Sequence, residues 1–289
     1  MRAFFIQNET GARVGLNGED GIRLTEPTGL GISFSTKYAD IEEGFFMQTK
    51  RKEPQGKAAG TLNFTKNAYA RYQEFIDWCM RAKRLYLIYK PLKREYFREV
   101  EISYLTKTEL NRVKWLGIPA AFSCLTPWYL PTPLALNFEG DEDTAMRYEF
   151  AYDDKLVYGE SGGGVYSVEI PARGHVPAAL RVRYTGAAAD LEISLTGVES
   201  GTEYGKCAIS GSIGATEILE LFTAKRSGYI KSIAADGTET DLLDAGRVDI
   251  STEPFFRAPV HEASILKLTG AGTLTGKVSA QAYFYYRSV

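Results

Sequence analysis

The feature that most constrains this chain is a period of two in its apolar residues. Leu116, Ile118, Ala120, Phe122 and Cys124 occupy alternate positions, as do Val100, Ile102 and Tyr104 before them. Near the end, Val278, Ala280, Ala282, Phe284 and Tyr286 repeat the pattern. Side chains of a strand point alternately to its two faces, so this spacing lays one apolar face on a core and leaves the other outward. Turn formers punctuate the runs, as in Asn17-Gly18-Glu19-Asp20-Gly21 and Pro27-Thr28-Gly29. Asn-Gly and Asp-Gly tolerate the positive φ of tight turns, so the strands on either side are expected to pair.

One segment departs from this period. From Thr65, the run TKNAYARYQEFIDWCMRAK places Tyr69, Tyr72, Ile76 and Cys79 at helical spacing, with Phe75 beside them. That predicts an amphipathic helix packed on a sheet. A strand over Leu85 to Tyr89 follows and is stopped by Pro91. Pro119 lacks an N–H to give to a ladder, which predicts an edge strand or a bulged one there. Pro131 and Pro133 together cannot serve a central strand, so a domain boundary is expected beside them, dividing the chain into 1–134 and 135–289. The length of 289 residues accommodates one large β domain or two medium ones, and 44% hydrophobic against 24% charged residues suits a soluble protein with a sizeable core. After Gly162-Gly163-Gly164, alternation resumes in Tyr166, Val168 and Ile170, in Leu180, Val182 and Tyr184, and in Leu191, Ile193 and Leu195. Short strands without a helical pattern predict an antiparallel β-sandwich for this half.

Residues 41–60 are unusual. Phe45, Phe46 and Met47 lead into Lys50, Arg51 and Lys52, then Pro54 and Gly56. A long hairpin with a greasy stem and a charged tip would read this way, and so would a solvated loop beside a buried strand.

The vocabulary of catalysis is thin. A net charge of -2 gives no global attraction for nucleic acid or an anionic membrane. The basic groups at Lys50 to Lys57 and at Lys90, Lys93, Arg94 and Arg98 carry no nucleic-acid module motif, so no specific nucleic-acid partner is expected. No stretch approaches the roughly 20 apolar residues of a spanning helix, and the first residues turn polar too early for a secretory signal. Cys79, Cys124 and Cys207 are odd in number and far apart, which favours synthesis in a reducing cytoplasm over a disulfide framework. His175 and His261 have no partner at metal-ligand spacing. Gly159-Glu160-Ser161-Gly162-Gly163 matches the letters of a hydrolase elbow, but a strand-like run follows where the elbow needs a helix. The acidic pairs Glu142-Asp143 and Asp153-Asp154 read as solvated loop residues. The expectation is a non-enzyme with no catalytic residue, cofactor or metal.

Several elements in order carry a resemblance. They are Gly60-Thr61-Leu62-Asn63-Phe64, the helical Tyr72 to Ile76, the strand ending near Pro91, Lys107-x-Glu109, and Leu125-Thr126-Pro127-Trp128-Tyr129. Together they resemble the N-terminal domain of siphophage distal tail proteins. The C-terminal half is similar in kind to that family's second domain, a galectin-like sandwich, through Tyr166 to Pro171 and Leu180 to Gly186. The resemblance implies a mainly β chain: an N-terminal β-sandwich-like domain with one α-helix and a long hairpin, then an antiparallel galectin-like β-sandwich. It also implies a structural tail-tip or baseplate component of a phage or prophage, made in the bacterial host cytoplasm and ending in the virion tail. Its subunits would form a homo-oligomeric ring, a hexamer, between the tail tube protein and the tip or receptor-binding proteins. In that family an extended hairpin lies on the neighbouring subunit. Glu42 to Gly60 maps onto it, with Phe45, Phe46, Met47, Arg51 and Lys52 as candidate ring-interface residues. Two other readings stand beside it. One is a carbohydrate-binding module using Trp128, Tyr229 or Tyr283, and the other is a cell-envelope hydrolase.

Overall fold

The computed structural model describes residues 2–139, 164–271, 274 and 276–289. They form two units, Met1–Leu130 with Tyr285–Val289, and Pro131–Phe284. The fold is mainly β with one helix.

In order, the first unit holds β1 (Ala3–Asn8), β2 (Arg13–Gly15), β3 (Ile22–Thr28), β4 (Ser35–Glu42), β5 (Phe45–Lys52), β6 (Lys57–Phe64), α1 (Ala68–Arg81), β7 (Leu85–Lys90), β8 (Tyr96–Leu105) and β9 (Leu116–Cys124), and β10 (Trp128–Leu134) starts in it. Antiparallel pairing runs β3-β6-β9-β8-β7-β1-β2. β4 and β5 stand outside this sheet and pair only with each other. The turn at Asn17 to Gly21 brings its flanks together through an isolated Asn17–Arg23 bridge, but the longer ladders of β2 and β3 are with β1 and β6.

The core gathers Ile6, Leu62, Phe64, Leu87, Ile118, Phe122 and Trp128, all essentially without solvent contact. The helix presents Ala68, Tyr72, Phe75 and Cys79 to it, while Tyr69 is exposed. The buried stripe is therefore turned one position from the expected one. Phe64 of β6 fixes that rotation, because Tyr72 and Phe75 meet it edge-on at 5.7 and 5.9 Å. Gly60, in the middle of the same strand, lies where an added Cβ would come within 2.8 Å of the Thr25 carbonyl oxygen, so only glycine fits the close approach of β3.

Pro119 does not mark an edge, since β9 pairs with β6 on one side and β8 on the other. Its carbonyl accepts from the Thr106 N–H just beyond the end of β8. The N–H and C=O of a strand residue face the same way, so the missing donor also points past that end and costs no ladder bond. The bulge lies in β8, between Ile102 and Tyr104, and it turns Tyr104 outward. β10 likewise runs through Pro131 and Pro133.

The second unit continues with β11 (Asn137–Glu139), β12 (Val165–Ile170), β13 (Val176–Thr185), β14 (Ala188–Gly197), β15 (Glu203–Ile213), β16 (Ile218–Phe222), β17 (Tyr229–Ile233), β18 (Glu239–Asp241), β19 (Ser264–Thr269) and β20 (Lys277–Tyr286). One sheet has the order β11-β12-β19-β14-β15, and the other strands follow as β18-β17-β16-β13-β20. Leu191, Ile193, Leu195, Leu266 and Leu268 from the first, and Leu180, Val182, Tyr184, Leu219, Leu221 and Phe284 from the second, are buried. This is the layered packing of a β-sandwich.

At the β14–β15 turn, the sealed Glu262 carboxylate accepts from the Tyr204 hydroxyl, from the Ser200 N–H at 3.1 Å and from the Ser200 hydroxyl at 2.8 Å. These donors favour the charged form, the Tyr204 hydroxyl most, and hold the carboxyl down to about 2.

Two outcomes follow from this packing. Trp128→Ala should cost about 3–5 kcal/mol in urea denaturation, as removal of a wholly buried indole does. Because the folded-state pKa of Glu262 is depressed, its stabilisation is present above the ordinary 4.5 and is lost as pH falls towards 2. Glu262→Gln should flatten the acid limb of the stability curve, measured by thermal melts from pH 6 to pH 2.

Candidate assembly surface

The hairpin of β4 and β5 is the least buried part of the first unit, and every residue of β5 is exposed. Its turn is set by Glu43 at φ 46° and Gly44 at φ 88°, the positive pair required by a two-residue hairpin turn. The register follows outward from it: Glu42 opposite Phe45, Asp40 opposite Phe46, Ala39 opposite Met47, and Lys37 opposite Lys50. Phe45, Phe46 and Met47 therefore lie beside the tip. Lys50, Arg51 and Lys52 lie in the half nearer the body. This reverses the greasy stem and charged tip expected from the order of residues. Glu43-Gly44 was the signal for the turn, since glycine supplies one of its two positive-φ positions.

Cross-strand partners share a face, so Ala39 and Met47 occupy one side of the ribbon, and Asp40 and Phe46 the other. With apolar groups on both sides, neither face is left clean for water. Phe45, Phe46 and Met47 are 72%, 64% and 55% exposed, and Tyr38 and Ile41 are exposed beside them. Bulges between Lys37 and Tyr38 and between Asp40 and Glu42 add twist. The charge is also divided, with Asp40, Glu42 and Glu43 near the tip and Lys37, Lys50, Arg51 and Lys52 nearer the base. Of the five candidate residues, Phe45, Phe46 and Met47 come together. Arg51 and Lys52 lie apart from them, and the Arg51 guanidinium covers the Phe34 ring at 3.6 Å.

Both legs of the hairpin are tied to the segment Cys124 to Trp128. The Trp128 indole N–H donates to the Leu30 carbonyl at 3.2 Å, ahead of β4. The Cys124 N–H donates to the Gly56 carbonyl at 2.9 Å, after β5, and the Gln55 side chain donates to the Cys124 carbonyl. Within this segment the Leu125 N–H reaches the Glu99 carbonyl, and the Thr126 hydroxyl accepts from the Glu99 N–H at 3.1 Å. The Thr126 hydroxyl oxygen thus takes the Glu99 N–H that a backbone carbonyl would otherwise accept, and the ladder continues to the end of the segment. The Thr126 carbonyl accepts from Arg98 Nε at 2.8 Å, and that guanidinium lies 5.4 Å from the Trp128 ring.

Other sequence candidates fall elsewhere. Trp128 is wholly buried and cannot stack on a sugar. Tyr229 and Tyr283 both pack against Phe222, at 5.7 and 5.2 Å. In the second basic group Lys90 is paired with Glu95 at 3.3 Å and Arg98 is buried, so these residues do not form one cationic strip. His175 is exposed, and His261 sits 3.2 Å from the Tyr204 hydroxyl. All three cysteines are buried free thiols, and burial pushes Cys79 and Cys207 up to about 12, far from a reactive thiolate. Among the described residues no three His, Cys, Asp or Glu side chains are placed to hold a metal ion, and no helix is long and apolar enough to cross a membrane. The Gly159 to Gly163 run and the acidic pairs at 142–143 and 153–154 lie outside the described residues.

Residues 3–125, the stretch that builds the sheet, the helix and the hairpin, match the family described as the distal tail protein, N-terminal domain. By that match this chain carries a distal tail protein N-terminal domain. It is a structural component of a phage tail or baseplate. A chain of the phage P2 baseplate in its activated conformation has a similar fold, with a TM-score of 0.69 at 12% identity over 100% of both chains. The Dit protein of phage SPP1, described as a paradigm of the hub adsorption apparatus in phages infecting Gram-positive bacteria, gives 0.57 at 10% identity over 97% of this chain and 99% of that one. No curated protein sequence matches the chain significantly. In this distal tail domain the motif Lys107-x-Glu109 grips the helix. The Tyr69 hydroxyl donates to Glu109 at 2.6 Å and Lys107 stands over the Tyr69 ring at 5.3 Å.

Since nothing in the unit covers the hairpin tip, Phe45→Ser with Phe46→Ser should leave monomer stability within about 0.5 kcal/mol of the parent. Thermal denaturation at low protein concentration checks this, and a large loss would mean that the two rings pack within their own chain.

Proposed function

We propose that this distal tail protein is a ring subunit, six copies closing around an axis to join the tail tube to the adsorption apparatus. The observation that carries the reading is the free-standing hairpin. An isolated two-stranded ribbon is marginal in water, and it gains most by packing against a further surface. Three large apolar side chains clustered at its tip are the pattern of an interaction site rather than of scattered surface residues. Burying each contributes about 1.5–3 kcal/mol, enough for the tip to anchor a contact between subunits. An arm that projects from one subunit onto a different surface of the next is a heterologous contact, and such contacts close into rings when the rotation permits. The arm is held by its two rooted legs, so its direction is fixed before assembly, and less order is lost when it docks.

In this reading the partners are the tail tube protein and the tip or receptor-binding proteins, no cofactor is required, and the role is structural rather than enzymatic. A second reading has one observation in its favour, an aromatic and charged cluster in the second unit. There Arg181 donates to the Tyr229 hydroxyl at 2.9 Å and pairs with Glu220, and Lys231 lies 5.0 Å from the Tyr229 ring. Aromatic rings flanked by such groups suit a saccharide.

Light scattering with negative-stain imaging across a concentration series should show a species near six times the 32.1 kDa protomer, with a central hole. The Phe45→Ser, Phe46→Ser variant should stay monomeric while remaining folded. Rings that persist in the variant would remove the hairpin from the interface. Binding of the full chain on a glycan array, abolished by Tyr229→Ala, would support the saccharide reading, and an empty array would end it.

A further inference from the structure

The hairpin tip needs a receiving surface, and the chain carries one of matching chemistry. Outside the hairpin and its roots, the exposed large apolar residues of the first unit are Tyr69, Met80, Leu92, Tyr104, Leu110, Val113 and Trp115. Met80 and Leu92 stand on separate elements, the exposed side of α1 and the turn after β7. Leu110, Val113 and Trp115 instead share the loop between β8 and β9, alongside Lys107, Arg112 and Lys114.

This loop is built rather than loose. The Asn111 side-chain oxygen accepts from the N–H groups of Val113 and Trp115 at 3.1 and 2.9 Å. The Asn111 N–H donates to the Trp115 carbonyl at 2.9 Å, and the Lys114 N–H to the Asn111 carbonyl at 2.9 Å. Lys114 takes a positive φ of 60° to close the turn. The Thr108 hydroxyl ties the loop to Gly117 at 2.6 Å, and Glu109 ties it to the helix through Tyr69. A fixed loop showing Trp115 and Val113 between Arg112 and Lys114 has the composition of an interface centre, in which tryptophan and arginine are enriched.

The two surfaces are complementary in sign as well as in apolarity. The hairpin tip carries Asp40, Glu42 and Glu43 around Phe45, Phe46 and Met47, while the loop carries three cations against the single acid Glu109, which Tyr69 already engages. Within one copy they do not meet, since the hairpin pairs only with itself and its tip is exposed. We infer that the β8–β9 loop of one copy receives the hairpin tip of a second copy, the Phe45–Met47 cluster seating against Val113 and Trp115, and Glu42 and Glu43 facing Arg112 and Lys114. This rests on the ring reading above and names the surface that the arm engages. The opposite charges orient the contact and bar tip-to-tip or loop-to-loop pairing, which would set like charges together.

Cysteine cross-linking tests it in the full chain, where the native thiols are buried. Glu43→Cys and Arg112→Cys are made as separate variants, mixed and mildly oxidised. A disulfide-linked species of twice the protomer mass should form in the mixture, several-fold more than in either variant alone. It should also exceed the yield of Glu43→Cys mixed with Met80→Cys, whose cysteine is exposed on the helix instead. In the double variant a ladder of linked copies should appear. No link at any concentration, a link to position 80 as efficient as that to 112, or a double variant that closes on itself as a monomer would each overturn the inference. The mass of the unaltered chain judges the ring separately. Rings without the 43–112 link defeat this contact alone, whereas absence of both rings and link defeats both. As a second arm, Arg112→Glu with Lys114→Glu should weaken self-association at least tenfold, and adding Glu42→Lys with Glu43→Lys should restore it. Failure of the reversed charges to rescue would count against the pairing.

Discussion

The indole of Trp128 is where the first unit is fastened together. It sits with its ring sealed from water, packed near Tyr89 and Arg98, and its one polar atom is spent on the carbonyl of Leu30. A buried indole demands both a large apolar site and a partner for its N–H, and few positions in a small β domain supply both. Here the partner is the backbone just ahead of the hairpin. The same few residues, Cys124 to Trp128, also hold the backbone just after it. The core and the root of the projecting arm are therefore one construction, and a fault in the first would loosen the second.

This explains why an arm of two strands can be held away from the sheet. A free ribbon has too few contacts to define its own direction. Rooting both legs in the best-packed part of the unit transfers rigidity from core to arm. The tip is then free to be apolar, because its side chains are held where a partner can reach them and not where they can collapse inward. The cost is an exposed greasy surface on the unassembled chain, offset by acidic residues at the tip that keep like arms apart.

The chemistry-poor interior fits the same role. The cysteines are buried free thiols, the Glu262 carboxylate is committed to a turn, and in the second basic group Lys90 is paired and Arg98 buried. Polar groups are used here to fix geometry, as Asn111 does for its loop and Thr126 does for its strand. What distinguishes the molecule is the placing of a few exposed apolar residues on rigid supports.

Much of this was legible in the residues. Alternation at Leu116 to Cys124 gave a strand because a period of two can serve only a pleated surface with one buried face. The helix from Ala68 was visible for the corresponding reason at 3.6 residues per turn. What alternation cannot supply is the neighbour. Pro119 read as an edge because its missing donor is a local fact, while the end of β8 beside it is a tertiary one. Tyr69 read as core until Phe64 fixed the rotation of the helix and left the phenol for Glu109. Phe45, Phe46 and Met47 were recognisable as a greasy cluster, but their place at the tip, with Lys50 to Lys52 behind them, came from the turn at Glu43-Gly44 and the register it imposes. The sequence by itself determined which segments would be strand or helix and which residues were too apolar for an ordinary surface. Only the tertiary structure decided which of those residues stayed outside, because burial depends on what the rest of the chain brings alongside, and among the described residues of the first unit nothing is brought alongside the tip of this hairpin.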